Sequence, residues 1–189
     1  MDTQALTGGF TEAPVQAARA FRAALEAMAR PGRIETVAGA EPPAPLSVAA
    51  GTLLLTLADP ETPVYLAPSH DTPALRDWLT FHTGAPLTEP GKAAFAVGDW
   101  AALQPLDAYR IGVPEYPDRS ATLIVEMGDL SAQGARLTGP GIRDAAALSL
   151  PDVAAFQRNA LLFPLGLDFY ITAGDKLAAL PRTTRVEAA

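Results

Sequence analysis

Seven residues of this 189-residue chain could hold an anionic ligand or move a proton. Arginine offers a planar donor fork for phosphate or carboxylate groups, aspartate and histidine can exchange protons, and glycine lets the backbone approach a ligand closely. If these residues converge in the fold, we expect a site for a phosphorylated small molecule. The candidates are Asp59, His82, Gly139, Gly141, Arg143, Asp168 and Arg182.

The stretch Gly139-Pro140-Gly141 has two interpretations. It can be a loop whose glycine amides face a phosphate, with Arg143 close behind, or it can be a tight turn at the end of a strand. Pro140 has no N–H group to offer, and the chain contains neither a Walker A nor a Gly-x-Gly-x-x-Gly pattern. These observations favour the turn and leave the phosphate loop as the weaker alternative.

The other candidates also have structural alternatives. Asp59 and Asp168 lie at the edges of apolar runs, where a carboxylate can catalyse a reaction or cap a turn. His82 is placed near the end of a predicted helix, where an imidazole can interact with free carbonyl groups. Arg182 can bind an anion or pair with one of the aspartates.

Nucleophilic catalysis by a hydrolase relay is not expected. The chain has no Cys and no Gly-x-Ser-x-Gly motif. Ser69, His70 and Asp71 are the right residue types, but a relay needs groups from separate elements. We therefore interpret this stretch as a polar loop that caps the following helix.

Neither a metal nor a cofactor is predicted. The two histidines, His70 and His82, are placed before and near the end of one helix, so they do not share a face as ligands four residues apart would. The two lysines, Lys92 and Lys176, lie in polar turn-like contexts, which argues against a Schiff-base lysine for pyridoxal phosphate.

Composition excludes two classes of partner. The net charge is −7 and no run of basic residues is present, whereas nucleic-acid binders present a basic face. The longest apolar run, 53–58, is too short to cross a bilayer, and the N-terminus lacks the basic and apolar regions of a signal peptide. We expect a cytoplasmic protein that binds neither nucleic acid nor membrane.

Hydrophobic patterning predicts a single α/β domain over 1–189, a three-layer α/β/α sandwich with a mixed sheet. In the helix at 14–29, Val15, Ala18, Phe21, Leu25 and Met28 form the expected core face. The apolar run 51–59 is predicted to be a central strand that forms a hairpin with 62–67, and 135–141 is expected to pair with 120–130. Further helices are predicted at 71–84, 99–104 and 150–162, and further strands at 32–37, 93–99, 166–174 and 181–187.

Eight stretches, spread in order over nearly the whole chain, resemble the H subunits of bacterial carbon–phosphorus lyase systems, the PhnH family. Each stretch by itself is a weak signal, but together they are specific. The segments 39–50 and 100–119 match least. The stretches are 20–34, 52–66, 81–87, 93–99, 120–131, 136–142, 163–172 and 180–187.

This resemblance implies an accessory subunit in organic phosphonate catabolism. Such a subunit works with G, I and J subunits, assisted by L, in displacing adenine from ATP with a phosphonate to give ribose 1-phosphonate 5-triphosphate. The I subunit is the implied nucleosidase, and no residue of the H subunit has an implied catalytic role. The implied fold is similar to the large domain of pyridoxal-dependent transferases without the cofactor, and isolated members form homodimers.

Under this interpretation, an apolar surface with a polar rim should contact the partners. Trp100, Tyr109 and Tyr116 are candidate anchors, although each could equally be packed within a loop. The alternative function is a stand-alone enzyme or a binding domain for a phosphorylated small molecule.

Overall fold

A six-stranded mixed sheet forms the centre of the molecule. The computed structural model describes residues 6–189, so the N-terminal stretch examined for a signal peptide lies partly outside the described residues. The strands of this sheet are β1 (Glu35–Thr36), β2 (Val64–Leu66), β3 (Phe95–Asp99), β6 (Thr122–Glu126), β9 (Asp168–Ala173) and β10 (Lys176–Leu180). They lie in the order β1-β10-β9-β6-β3-β2, in which β2, β3, β6 and β9 pair parallel and β10 pairs antiparallel with both β9 and β1.

Three helices cover one face of this sheet: α1 (Ala13–Ala29), α2 (Val48–Leu57) and α3 (Pro73–Thr83). Helix α3 begins where the Thr72 hydroxyl accepts the Leu75 N–H and ends at Gly84, which has a left-handed conformation with φ of 69°. Both are residue types that commonly end helices, and the helix itself was predicted over 71–84.

The opposite face is covered by α4 (Val153–Ala160) and a small antiparallel sheet. The small sheet has the order β11-β7-β8, from β7 (Ala135–Thr138), β8 (Ala146–Leu148) and β11 (Arg185–Glu187). Phe156 of α4 packs edge-on against Phe169 of the central sheet, with ring centroids 4.9 Å apart. The mixed central sheet and the layering were predicted, but this outer layer combines a helix with strands. A hairpin, β4 (Ile111–Val113) and β5 (Tyr116–Ser120), lies outside both sheets.

The predicted central strand at 51–59 is wrong, because this run is helix α2. Residues from Ala49 to Leu54 are buried, so the helix is apolar on every side and shows no amphipathic period. The missed signal is Ser47, whose hydroxyl accepts the Ala50 N–H and starts the helix. The predicted hairpin to 62–67 is wrong for the same reason, and β2 pairs with β3.

Helix α1 packs through a different face from the one predicted. Its buried side chains are Ala20, Ala24 and Ala27, whereas Phe21 and Leu25 are exposed. The small residues let α1 approach α2 and β10 closely. Val15, Phe21 and Leu25 point outward, whereas Met28 of the predicted face is half-buried against the core.

Three further strand and helix assignments are corrected. Strand β7 pairs with β8 and β11 rather than with the 120–130 segment, and the 99–104 segment forms turns rather than a helix. The strand β10 was not predicted, although it forms a hairpin with β9. Within residues 6–189, no helix is both long enough and apolar enough to cross a membrane.

Candidate functional site

A cavity of about 660 Å³ brings together two of the sequence-predicted site residues, Gly139 and Arg182. It lies where the segments after β7, after α4 and before β11 meet. These segments belong to three of the stretches that carry the family resemblance, 136–142, 163–172 and 180–187. The cavity is lined by Thr138, Gly139, Pro140, Ala160, Phe163, Arg182, Thr183 and Arg185.

The guanidinium group of Arg182 is occupied by bonds within the protein. Its Nε and Nη2 donate to the two carboxylate oxygens of Asp168, at 3.2 and 2.5 Å. Nη2 also donates to the Ser120 hydroxyl, and Nη1 donates to the carbonyls of Pro117 at 2.8 Å and Pro164 at 3.4 Å. Arg182 and Asp168 are therefore brought together, as a clamp that ties β9 to the hairpin and to the loop after α4.

Close packing explains the glycines of the Gly139-Pro140-Gly141 turn. Both have positive φ, 129° and 81°. A Cβ on Gly141 would lie 1.9 Å from the carbonyl oxygen of Ala29, and one on Gly139 would lie 3.1 Å from that of Thr183. The Ile142 N–H donates to the Gly139 carbonyl at 3.1 Å, which closes the turn. This geometry favours the turn interpretation, since the backbone alone requires both glycines.

Three sequence-predicted residues lie away from the cavity. The Arg143 side chain is 97% exposed and has Asp144 as a distant ion partner at 3.9 Å. Asp59 is part of a turn, in which its carboxylate accepts the Glu61 N–H at 2.8 Å.

His82, the third, contacts the N-terminal segment. Its Nε2 lies 3.1 Å from the Thr7 carbonyl oxygen, and its ring packs against Trp78 and Phe81. The interaction that we expected with the carbonyls of its own helix is replaced by this longer-range contact.

A second polar cluster, which sequence reasoning missed, lies at the carboxyl ends of the parallel strands. Ser69 Oγ lies 2.9 Å from His70 Nδ1 and accepts the Asp99 N–H at 3.1 Å. Glu126, the last residue of β6, places a carboxylate oxygen 3.9 Å from His70 Nε2. In the tautomer whose hydrogen lies on Nε2, the hydroxyl donates its own hydrogen to Nδ1.

Burial disfavours the charged forms of Glu126 and His70. Burial raises the pKa of Glu126. Hydrogen bonds from the Ser47 N–H at 2.7 Å and the Thr172 hydroxyl at 3.1 Å partly offset this change. Burial also lowers the pKa of His70, and the charge of Asp99 partly offsets that change. His70 Nε2 is buried without a hydrogen-bond partner among the described residues.

The sequence contained one signal for this cluster, the Ser69-His70 pair. The relay was not expected from three consecutive residues, and the third of them, Asp71, forms an ion pair with Arg76. The carboxylate comes from Glu126, more than fifty residues away, and only the parallel pairing of the strands brings it near. The His70 and Glu126 side chains are too deeply buried to meet a substrate from solution in this conformation.

Neither lysine has the environment of a Schiff-base residue. Lys92 is exposed and pairs with Glu89 at 2.8 Å, which raises the pKa of its ammonium group. Lys176 donates to Asp129 and to the Leu130 carbonyl, both at 3.3 Å. A nucleophilic lysine needs a pKa that is lowered toward the free amine, which is the opposite of the change at Lys92. Both ammonium groups are paired with carboxylates, so these residues do not fit pyridoxal phosphate. Within residues 6–189, no group of three or more metal-ligating side chains is found.

Large apolar side chains are exposed beside the cavity. Leu161 is 85% exposed, Leu162 44% and Phe163 60%. Of the anchors predicted from the sequence, Tyr109 is buried, Trp100 stacks on Phe156, and Tyr116 is exposed with the Arg119 guanidinium over its ring. The most exposed apolar residues were therefore missed, because the pattern assigned 161–162 to a helix end.

Comparison with known proteins gives a consistent result over almost the whole chain. A family model described as bacterial phosphonate metabolism protein (PhnH) matches residues 8–187. The chain is 39% identical to the alpha-D-ribose 1-methylphosphonate 5-triphosphate synthase subunit PhnH of Rhizobium meliloti (strain 1021), over 98% of this chain and 97% of the relative. It is 29% identical to HtxG of Stutzerimonas stutzeri, which carries the name of a C-P lyase subunit, over 94% of each chain.

Proposed function

Because this chain belongs to the PhnH family of bacterial phosphonate metabolism proteins, we propose that it is an accessory subunit of a carbon–phosphorus lyase assembly. Its step is the displacement of adenine from ATP by a phosphonate, which gives ribose 1-phosphonate 5-triphosphate. The observation that carries this proposal is the identity of 39%, over nearly its full length, to a named subunit of the corresponding synthase.

The arrangement of polar groups supports an accessory role. In the 660 Å³ cavity, the donors of Arg182 are bound within the protein, and the His70 and Glu126 side chains of the second cluster are buried. Three consecutive large apolar residues are exposed beside the cavity, as expected for a protein that contacts partners. The molecule thus offers a contact surface more readily than an assembled active site.

The proposal includes finer points taken from the family resemblance. The partners are G, I and J subunits, with the L subunit assisting, and the isolated chain forms a homodimer in the cytoplasm. The fold is similar to the large domain of pyridoxal-dependent transferases and works without the cofactor. The exposed ion pairs of Lys92 and Lys176 support the last point.

Reconstitution tests this function directly. The G, I and L subunits are mixed with ATP and methylphosphonate, with and without this chain, and adenine release is measured. We expect release to require the chain. Release at the same rate in its absence would contradict the proposal and would direct attention to the chain as an independent protein.

A second candidate function is favoured by one observation, the exposed Arg185 at the cavity that Gly139 and Arg182 also line. In this alternative the chain binds a phosphorylated small molecule. The structure gathers only part of the set of ligand residues that the sequence predicted, and the whole set belongs to this alternative as a proposal. The set consists of Gly139, Gly141, Arg143, Asp59, His82, Asp168 and Arg182. Calorimetry with ATP on the isolated chain tests it, with Arg185→Ala as the variant expected to weaken binding.

A further inference from the structure

The exposed apolar residues Leu161, Leu162 and Phe163, termed here the 161–163 surface, separate two cavities. Phe163 lines the cavity of about 660 Å³, which includes Arg182 and Arg185. Leu162 lines a neighbouring cavity of about 560 Å³, which includes Arg158 and Tyr109. An apolar projection between two grooves offers an extended contact area, which a single small ligand would not fill.

The backbone beneath the 161–163 surface is held from three directions. The buried Asn159 side chain bonds both the N–H and the carbonyl of Leu167, at 2.8 and 2.9 Å. The Gly166 N–H donates to the Ile111 carbonyl at 3.0 Å, and Arg182 donates to the Pro164 carbonyl at 3.4 Å. The apolar side chains are therefore presented by an ordered frame, which reduces the entropy lost when a partner binds.

The charges around this surface differ in sign from those of the whole chain. The net charge of the protein is −7, yet the fifteen residues 153–167 contain one charged side chain, Arg158. Arg158 and Arg185 are exposed and form no ion pair among the described residues. Three arginines and one carboxylate, that of Asp107, line the two cavities, and Arg182 is already paired with Asp168.

We propose that the 161–163 surface and its two flanking grooves bind a segment of a partner subunit that carries apolar side chains next to a carboxylate. The apolar side chains cover Leu161 and Phe163, and the carboxylate pairs with Arg158 or Arg185. This inference rests on the proposed function, since it needs an assembly with partners. It goes further by stating where on this chain a partner binds and what chemistry the partner segment has.

The test uses the complete chain co-expressed with the proposed G, I and J subunits, with affinity measured after purification. Leu161→Asp and the double variant Leu161→Asp/Phe163→Asp should weaken association at least about thirtyfold, because they place charge in an apolar contact. Leu25→Asp is the matched control, since Leu25 is also an exposed leucine, 58% exposed, on α1. Leu161 is so exposed that its substitution should leave the unfolding temperature unchanged, which circular dichroism verifies.

Arg185→Glu tests the charged part of the inference. It should weaken association and reduce its dependence on salt concentration, because an attractive ion pair with the partner is replaced by repulsion. Unchanged affinity of Leu161→Asp would overturn the proposal, and so would an equal loss in Leu25→Asp. Binding of ATP to the isolated chain that Arg185→Glu abolishes, with association intact, would assign the grooves to a small anion and overturn it too.

Failure of the proposed function is distinguishable in the same experiment. If the wild-type chain does not associate with the other subunits, the accessory role itself is contradicted. If the wild type associates and the Leu161 variant associates equally well, the role stands and the surface is wrong.

Discussion

At the scale of single residues, Arg182 connects several segments of the chain through one side chain. Its side chain binds a carboxylate, a hydroxyl and two backbone carbonyls from different segments. The sequence predicted its pairing with an aspartate as one alternative, and Asp168 is that partner. The hydroxyl of Ser120 and the carbonyls of Pro117 and Pro164 could not be predicted, since they are close only in the folded chain.

Removal of this guanidinium should destabilise the protein. Arg182→Ala leaves the Asp168 carboxylate partly buried without its partner, which typically costs about 3 kcal/mol. Arg143→Ala is the control, because that exposed side chain should change stability by less than about 0.5 kcal/mol. Urea unfolding of the three proteins measures both effects, and equal stabilities would contradict the clamp.

The buried carboxylate of Glu126 should make stability depend on pH. Its folded pKa is raised by burial, so the folded protein binds more protons than the unfolded chain from about pH 4.5 upward. Stability should therefore fall as pH rises through this window, by about 1.4 kcal/mol for each unit of pKa difference.

The Glu126→Gln variant isolates this effect. His70 has the opposite sign, because its lowered pKa removes stability as pH falls below 6.5, but it is present in both proteins. The free energy of unfolding of Glu126→Gln minus that of wild type should increase between pH 5 and pH 8. A difference that stays constant over this range would show that Glu126 is not held in a desolvated site.

At the scale of elements, tertiary packing determined the type and the buried face of a helix where hydrophobic periodicity did not. Helix α2 is buried on all sides, so its sequence carries the same continuous apolar pattern as a buried strand. In helix α1 the fully buried residues are small alanines, whereas Phe21 and Leu25 are exposed. Elements with a capped, one-sided pattern, such as α3, were predicted correctly because local chemistry determines their ends.

The turn after β7 offers a test of close packing between elements. In Gly141→Ala, the added Cβ would overlap the Ala29 carbonyl at the end of α1, so we expect a loss of about 3 kcal/mol. Gly174→Ala is the control, because its φ is also positive but its surroundings are open, and about 1 kcal/mol is expected.

Thermal or urea unfolding of the two glycine variants distinguishes backbone conformation from packing. Similar losses in both would mean that the contact with Ala29 contributes nothing. For the same reason Gly141 is unsuitable for testing a ligand, and Arg185 is the better position.

At the scale of the whole molecule, the layers bring together polar groups that lie far apart in the sequence. The parallel order of β2, β3 and β6 brings Ser69, Asp99 and Glu126 to one edge of the sheet. The resemblance located the motifs that surround the 660 Å³ cavity, but not their convergence, which depends on the pairing of β7 with β11. Which distant strands pair with each other could not be predicted from one sequence.

The central claim is that this chain is built to be part of an assembly. Native mass spectrometry of the chain co-expressed with the proposed G, I and J subunits tests it most directly. We predict a single complex that contains this chain in a fixed stoichiometry. A complex of the other subunits that forms at full yield and excludes this chain would contradict the account.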